Sequence, residues 1–310
     1  MPPRDEYVQP DAPDPVLAEE IVLELVRRHV PRVAKLTAID ETGGEARAYM
    51  CDDDIVLKTQ RPHQLRRRTS LEKEAFILAV LEREPSIRVP RALGYGRDGL
   101  VEYVVLSRVP GIALKDAPLR GGDRVDVLHA VGANLRRIHG VDQIEMASSQ
   151  LIPGDRQPGD VTMRLSEIFE DLRADLDAES RILESIDLDA IQDLCFSRLP
   201  SDEATVTLHS NPGAEHCFVD PVTGAFSGLI DFGDAYRSHP ALDVRSWRSP
   251  DDSRHMLAGY ASLGPLPRHF LRVWRAGIIA TELRLATRGY RDPRDTVKII
   301  EELAHEQSNS

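Results

Sequence analysis

The chain has 310 residues, of which 41% are hydrophobic and 29% charged, and its formal net charge is −12 at pH 7. This length predicts two domains or lobes, with enough buried surface for stable cores. The composition excludes a mainly disordered chain, a collagen and a membrane protein. The acidic balance argues against nucleic-acid binding, which usually needs a basic surface. We interpret the locally basic run at residues 61–68 as a solvated loop.

The three cysteines, Cys51, Cys195 and Cys217, show no paired spacing. This pattern predicts free thiols in a reducing compartment and argues against a zinc site. The N-terminus lacks the apolar segment of a signal peptide, and no stretch approaches 18 consecutive apolar residues. We therefore expect a cytoplasmic protein without membrane association.

The first third of the sequence predicts a small β-rich region. Residues 1–15 contain five prolines and predict a flexible tail, and apolar residues at helical spacing predict a helix over 16–30. Strands are predicted at 34–39, 45–50, 54–59, 91–95 and 101–108. Gly43 and Gly44 lie in the turn between the first two strands.

A helix predicted over residues 71–83 has two candidate N-caps. Thr69 has Glu72 at the offset of a capping box, whereas Ser70 as the cap would place Lys73 there. We therefore predict that Thr69 caps this helix.

Helical patterns dominate after Pro110 and Gly111. Helices are predicted at 123–139, 161–177 and 188–198 and between 241 and 305, with strands at 205–208, 217–219 and 228–230. The predicted organisation is a tail (1–15), an N-terminal lobe (16–107), a C-terminal lobe (108–305) and a second tail (306–310). The hinge between the lobes is expected near residues 107–111.

Two charged residues of the first lobe are candidates for one ion pair. Lys58 ends an apolar strand, and Glu74 lies on the helix that follows it. Each alone is most simply a surface residue. Together they form the kind of pair that holds a lysine against the α- and β-phosphates of a nucleotide.

A third candidate lies in the second half of the chain. Residues 208–220 and 228–234 have the pattern strand, polar loop, strand, turn, strand, polar loop. Asp231 follows a buried strand, where a carboxylate is costly unless it is paired or binds a metal. The alternative is an ordinary turn aspartate beside Gly233.

These segments together resemble the aminoglycoside phosphotransferase family, whose kinase-like fold is shared with macrolide and choline kinases. The loop from His209 to His216 is similar to the family's His-Gly-Asp-Leu-x-x-x-Asn/His, and residues 230–234, Ile-Asp-Phe-Gly-Asp, are similar to its Ile-Asp-Trp/Phe-Gly-Asp. Residues 239–244, His-Pro-Ala-Leu-Asp-Val, resemble the family's Asp-Pro-Ala-x-Asp-Leu, and this resemblance implies that Asp243 is the structural acid. Segments 104–111 and 135–139 resemble the family's adenine-contacting hinge and a common helix end. The resemblance extends over about residues 20–300.

The resemblance implies an α+β, two-lobed protein-kinase-like fold with a small β-rich N-lobe and a larger, mainly helical C-lobe. It implies that ATP or GTP binds under Gly43 and Gly44 and against the backbone of Ser107 and Val109. Lys58, fixed by Glu74, would then steady the phosphates.

The resemblance also implies that Asp231 and His216 hold Mg²⁺ and that a small-molecule hydroxyl is phosphorylated near Asn211. His216 replaces an asparagine frequent in the family, and a neutral imidazole can also bind a divalent cation. Asn211 replaces the catalytic aspartate, and an amide cannot accept the proton of the hydroxyl. Glu215 is close in sequence but adjoins the metal position, so we do not assign it as the base.

The distribution of charge along the chain bears on the charge of the acceptor. Residues 151–195 contain 12 acids and four arginines, a net charge of −8. In the resembled fold this region helps to line the acceptor cleft, and an acidic lining favours a cationic acceptor. Solvent-facing helix charges are an equally simple interpretation.

Three functions stay open at this stage: a slow small-molecule phosphotransferase, a catalytically inactive nucleotide- or small-molecule-binding pseudokinase of the same family, and a protein kinase. The third is disfavoured because no Gly-x-Gly-x-x-Gly precedes Lys58, no His-Arg-Asp occupies the loop and no Ala-Pro-Glu follows Asp231. The sequence does not indicate the oligomeric state.

Overall fold

Five strands form an antiparallel sheet in the first part of the chain. They are β1 (Leu36–Asp40), β2 (Ala46–Cys51), β3 (Ile55–Gln60), β4 (Ala92–Asp98) and β5 (Val101–Ser107). Their spatial order is β1-β2-β3-β5-β4. All five predicted strands are present. The computed structural model describes residues 7–155, 160–179, 187–196, 199, 205–244, 250–287 and 289–308.

Alternation along β3 separates the apolar face of the sheet from the face that carries Lys58. Successive side chains of a strand point to opposite faces, and Leu57 is fully buried whereas Lys58 keeps some exposure. The face of Leu57 packs against helix α1 (Glu19–Arg27), whose Val22 and Val26 are fully buried. Packing of one helix on the apolar face leaves the ammonium of Lys58 on the opposite side.

Helix α2 (Leu71–Leu81) is capped by Ser70, so the prediction of Thr69 was wrong. The Ser70 hydroxyl accepts a hydrogen bond from the Lys73 N–H at 3.2 Å. The Thr69 hydroxyl is instead used in a contact distant in sequence, because it donates to Oδ1 of Asp234 at 2.6 Å.

The described residues divide into two compact units whose boundary differs from the predicted one at 107/108. The first unit contains the described part of Met1–Leu119 together with Ser149–Ile152 and Ala214–Ala235, and the remaining residues form the second. The reason is a small sheet of β6 (Ile112–Ala113), β8 (Cys217–Val219) and β9 (Phe226–Leu229). Because β6 pairs with β8, residues assigned by sequence to the C-terminal lobe join the first unit.

The second unit is mainly helical. Its helices are α3 (Gly121–Gly140), α4 (Ile144–Ser148), α5 (Asp160–Glu179), α6 (Leu188–Phe196), α7 (Ala241–Val244), α8 (Pro250–Ala261), α9 (Phe270–Thr287) and α10 (Pro293–Ser308). Two short strands, β7 (Val206–Leu208) and β10 (Tyr236–Ser238), pair antiparallel. Of the predicted tail at 306–310, residues 306–308 continue α10, and 309–310 lie outside the described residues.

The predicted N-terminal tail is also partly ordered. Residues 1–6 lie outside the described residues, but Asp14 makes hydrogen bonds to Arg47 and Arg61. The end of the predicted tail is therefore attached to the sheet region, because two arginines there attract that carboxylate. The three cysteines, Cys51, Cys195 and Cys217, all lie in the described part of the chain, where they are buried and form no disulfide. Among the helices described here, none is both long and apolar enough to cross a membrane.

Two glycines allow α3 and α8 to approach closely. A Cβ added to Gly132 would lie 1.9 Å from the carbonyl oxygen of Met256, and one added to Gly259 would lie 1.9 Å from that of His129. Atoms so close cannot coexist, so the two helix backbones would have to separate.

We therefore expect Gly132→Ala to lower the free energy of unfolding by about 3 kcal/mol or more, the upper range for overpacking. Gly122→Ala on the same helix is the matched control, because no atom lies within 4 Å of its added Cβ. The control should unfold at the same urea concentration as the wild type or a higher one, since alanine favours helix. Equal stability of Gly132→Ala and the control would contradict this account.

Candidate functional site

Lys58 lies between two carboxylates in the first unit. Its Nζ donates to Oε2 of Glu74 and to Oδ1 of Asp231, each at 2.7 Å. The Glu74 side chain is fully buried, whereas that of Asp231 is 40% exposed. The pair predicted from the sequence is present, and the same ammonium also holds the aspartate that follows β9.

Glu74 also positions the backbone beside Asp231. Its Oε1 accepts the N–H of Phe232 at 3.3 Å, so one buried carboxylate contacts both the lysine and the chain next to the aspartate. Asp231 itself has φ +75°, in the left-handed region that side-chain-bearing residues rarely adopt. Such strain persists only where the surroundings hold it, and here those contacts hold it.

The charges of this cluster support one another. Burial alone would lower the pKa of Lys58, but the carboxylates of Asp231 and Glu74 outweigh burial and raise it, so the ammonium stays protonated. Burial raises the pKa of Glu74, and the ammonium of Lys58 opposes this shift. Removing Lys58 would therefore leave a buried carboxylate without its cation, which is strongly unfavourable.

His216 joins the cluster through Asp231. Its Nε2 lies 3.3 Å from Oδ2 of Asp231, and its carbonyl oxygen accepts the N–H of Ile230 at 2.9 Å. The pairing of β8 with β9 thus brings together two residues 15 positions apart. They present one carboxylate and one imidazole to the same place.

This pair of donors fits a divalent cation whose remaining coordination positions are filled by phosphate and water. Mg²⁺ commonly takes one or two protein carboxylates plus phosphate oxygens, and Asp231 supplies such an oxygen. His216 adds a nitrogen donor, which suits a divalent cation less specifically. In the part of the chain that the structure describes, no three His, Cys, Asp or Glu side chains cluster as a complete metal site.

A second ion network near Asp231 was missed by the sequence analysis. Arg66 pairs with Glu45 and, at 2.5 Å, with Oδ2 of Asp234, whose other oxygen accepts the Thr69 hydroxyl. The basic run therefore contributes one arginine to the candidate site. No local pattern marks this residue, because Arg66 and Asp234 are 168 positions apart.

The remaining nucleotide-site predictions lie around the same sheet. Gly43 and Gly44 precede β2, as predicted, and a Cβ on Gly43 would lie 2.7 Å from the carbonyl oxygen of Ala46. Ser107 ends β5, and its N–H donates to the carbonyl of Arg91 at 2.9 Å. The hydroxyl of Ser107 accepts the N–H of Arg91 at 2.8 Å. Val109, two residues later, is buried.

The loop that carries Asn211 belongs to the second unit, where a buried carboxylate holds its backbone. Asp243 is fully buried and accepts the N–H of His209 at 2.7 Å and that of Ser210 at 2.8 Å. Ser210 has φ +83° and occupies the position of a glycine in the resembled motif. Asn211 is exposed, and its N–H donates to Nδ1 of His209 at 3.3 Å.

His139, at the end of α3, completes the environment of Asp243. Its Nε2 lies 2.9 Å from Oδ2 of Asp243, and its Nδ1 lies 3.1 Å from the hydroxyl of Tyr260. Burial alone would raise the pKa of Asp243, but the hydrogen bond and charge of His139, with help from His209, lower it. Sequence analysis identified Asp243 as a structural acid but missed His139 as its partner.

Comparison with known proteins decides the family. The profile of the "Phosphotransferase enzyme family" matches residues 35–269, which is most of the chain. The chain belongs to this family. A search of curated protein sequences gives no match for this phosphotransferase-family chain.

Solved structures show the same α+β, kinase-like fold for this family member. The GDP complex of aminoglycoside 2'-phosphotransferase-IIIa matches with a TM-score of 0.62 at 15% identity, covering 94% of this chain and 99% of that one. The streptomycin–ATP complex of APH(2")-IIa gives 0.58 at 15% identity, covering 94% and 97%. A macrolide 2'-phosphotransferase from Brachybacterium faecium gives 0.57 at 19% identity, covering 91% and 98%. The resemblance and fold class expected from the sequence are thereby confirmed.

The contacts of Asp243 generate a stability prediction. Asp243→Ala would leave His139 and the loop N–H groups without their acceptor, so we expect a loss of about 3–5 kcal/mol at pH 7, measured by urea unfolding. Because its folded-state pKa is lowered, the contribution of Asp243 is present above about pH 4 and is lost as the pH falls through that lowered value. The exposed Asp53 is the control, and Asp53→Ala should leave the unfolding midpoint unchanged. Equal midpoints for the two variants would contradict the assignment.

Proposed function

We propose that this chain is an ATP- or GTP-dependent phosphotransferase that acts on a hydroxyl of a small molecule. The observation that carries the proposal is the ammonium of Lys58 held between Glu74 and Asp231 in a chain of the phosphotransferase enzyme family. Phosphoryl transfer depends mainly on positioning and charge neutralisation, which such a cluster supplies. The structural matches are to aminoglycoside and macrolide phosphotransferases, so we do not retain the protein-kinase alternative.

In this proposal Lys58 binds the α- and β-phosphates, and Glu74 fixes the direction of its ammonium. The turn with Gly43 and Gly44 covers the phosphates, and the backbone of Ser107 and Val109 contacts the base. Nucleotide binding is supported by the GDP and ATP complexes of structurally similar proteins. The choice between ATP and GTP stays open.

Asp231 and His216 would hold Mg²⁺ together with the phosphates. The cation would supply charge neutralisation for the phosphate oxygens. Lys58 would hold Asp231 in place through the hydrogen bond of 2.7 Å between its Nζ and Oδ1 of Asp231.

Asn211 would lie near the acceptor hydroxyl and orient it by hydrogen bonding. It cannot accept the proton, and the loss of a general base costs about 10²- to 10⁴-fold in rate. We therefore propose a slow enzyme. The same residue favours a second candidate function, a pseudokinase that binds a nucleotide or small molecule without transferring phosphate.

We further propose that the acceptor is a cation, because residues 151–195 have a net charge of −8. Within the described part of this segment, α5 exposes Glu167, Glu170 and Asp171 to solvent. Arg156, Arg181 and Glu184 lie outside the described residues. Structurally similar proteins carry streptomycin and gentamicin in their complexes, and streptomycin and gentamicin are cations.

The proposal predicts that Mg-nucleotide stabilises the folded protein. Millimolar ATP or GTP with Mg²⁺ should raise the melting temperature, because a ligand at 100 times its dissociation constant stabilises by about 2.7 kcal/mol. The upward shift, measured by differential scanning fluorimetry relative to each variant's own baseline, should shrink in Lys58→Met and Asp231→Ala.

Glu82→Gln is the control for this experiment, because Glu82 is a solvent-exposed acid just after α2. It should retain the full nucleotide shift. Absence of a shift with every purine nucleotide tested would exclude both the phosphotransferase and the nucleotide-binding pseudokinase.

The two candidate functions differ in the effect of Asn211→Asp. If the site lacks only the proton acceptor, this nearly isosteric change should fold normally and raise phosphoryl transfer about 10-fold or more. Asn211→Ala should lower any residual transfer further, since it also removes the orienting amide. Transfer to aminoglycosides, macrolides and amino alcohols would be followed by mass spectrometry, and hydrolysis of ATP would serve if no acceptor is found.

A pseudokinase predicts nucleotide binding without transfer in the wild type and in Asn211→Asp. A wild type that is already fast, and no faster in Asn211→Asp, would show that Asn211 does not limit proton transfer. A preference for neutral or anionic acceptors, or binding that does not weaken with salt, would remove the cationic-acceptor proposal alone.

A further inference from the structure

The segment before α1 is attached to the sheet by one carboxylate. Asp14 accepts two parallel hydrogen bonds from Arg47, at 3.0 and 2.8 Å, and a third from Nε of Arg61 at 2.8 Å. Arg47 is 3% exposed, and its guanidinium also donates to the carbonyl of Pro15 at 3.1 Å. Bidentate contacts between charged groups fix direction as well as distance.

Both arginines also donate hydrogen bonds to the turn between β1 and β2. Nη1 of Arg61 donates to the carbonyl oxygen of Gly43 at 3.0 Å and to that of Glu41 at 3.3 Å. Nε of Arg47 donates to the carboxylate of Glu41 at 2.9 Å. The turn is therefore held at its backbone by Arg61 and at a side chain by Arg47. Asp14 is the acid that both arginines share.

The same N-terminal segment has a second attachment. The N–H of Val8 donates to the carbonyl of Leu65 at 2.8 Å, and Tyr7 forms an antiparallel bridge with Arg66. Residues 7–14 thus run beside the chain that leaves β3. These contacts bring Asp14 to two arginines that are 33 and 47 positions away.

The charges of this arrangement are compensated. Burial alone would raise the pKa of Asp14, but hydrogen bonds from Arg47 and Arg61 outweigh burial and lower it. The carboxylate is therefore ionised at neutral pH. Without it, the two guanidinium groups would repel one another beside the turn, and Arg61 would lose the contact that directs it toward Gly43.

We propose that Asp14 is a positioning residue of the nucleotide site, which fixes the turn containing Gly43 and Gly44 through Arg61 and Arg47. This inference rests on the proposed function, in which that turn covers the phosphates. A fixed turn has less conformational entropy to lose when nucleotide binds, so the contacts of Asp14 increase nucleotide affinity by preorganisation. Asp14 would not touch the nucleotide.

The test compares wild type, Asp14→Asn and Arg61→Lys. Asp14→Asn removes the charge that both arginines share. Arg61→Lys keeps a cation but loses the forked guanidinium, which contacts Asp14 through Nε and the two carbonyl oxygens through Nη1. Each variant should raise the dissociation constant of Mg-ATP or Mg-GTP about 10-fold by calorimetry. Each should also accelerate amide hydrogen exchange at residues 41–45 without nucleotide, and Asp14→Glu should restore part of both properties.

Glu20→Gln is the matched control, because Glu20 is an exposed acid on α1. It should change neither property. Unchanged nucleotide affinity in both Asp14→Asn and Arg61→Lys, with wild type binding normally, would overturn the role of Asp14. A wild type that binds no nucleotide would instead refute the proposed function, and the role of Asp14 in binding would fall with it. Faster amide hydrogen exchange at residues 41–45 in Asp14→Asn would then show that Asp14 fixes the turn without a role in nucleotide binding.

Discussion

A buried carboxylate needs a partner, and in the first unit that requirement is met by Lys58. Glu74 has no access to solvent, so its charge is tolerable only because an ammonium lies 2.7 Å away. The sheet must present Lys58 on the face opposite α1, and α2 must place Glu74 above it. Once both are in place, the same two groups also fix Asp231 and the N–H of Phe232. The candidate site is thus a consequence of compensating one buried charge.

In the second unit, compensation of a buried charge holds backbone groups instead of the side chains of the candidate site. Asp243 is as buried as Glu74, and its partners are His139 and the N–H groups of the loop before Asn211. In each unit, a buried acid therefore holds a polar loop. In the first unit the acid acts through a side-chain cation, whereas in the second it acts mainly through peptide groups.

Local patterns explain which features could be predicted. Alternation and helical spacing identified all five strands of the large sheet, and the Lys58–Glu74 pair followed because a strand and the next helix are neighbours in space. Contacts between residues far apart in the sequence explain the errors. Thr69 has the capping-box sequence, but its hydroxyl binds Asp234, 165 positions away, and Ser70 caps α2 instead. Asp14 lies in a proline-rich stretch that predicts a tail, and only the folded sheet brings two arginines to it.

The conformation of the loop around Asn211 bears on the role that we propose for this residue. Ser210 adopts φ +83°, a conformation that costs a residue with a side chain about 1–2 kcal/mol and that glycine adopts freely. The hydrogen bonds of its N–H and that of His209 to Asp243 hold the loop in this form despite the strain. The scaffold that presents position 211 is therefore intact, as is the lysine–carboxylate cluster of the first unit. If Asn211 takes the position of the proton acceptor, as we propose, the change there is chemical rather than a collapse of the loop, and restoring a single carboxylate is then a meaningful test of activity.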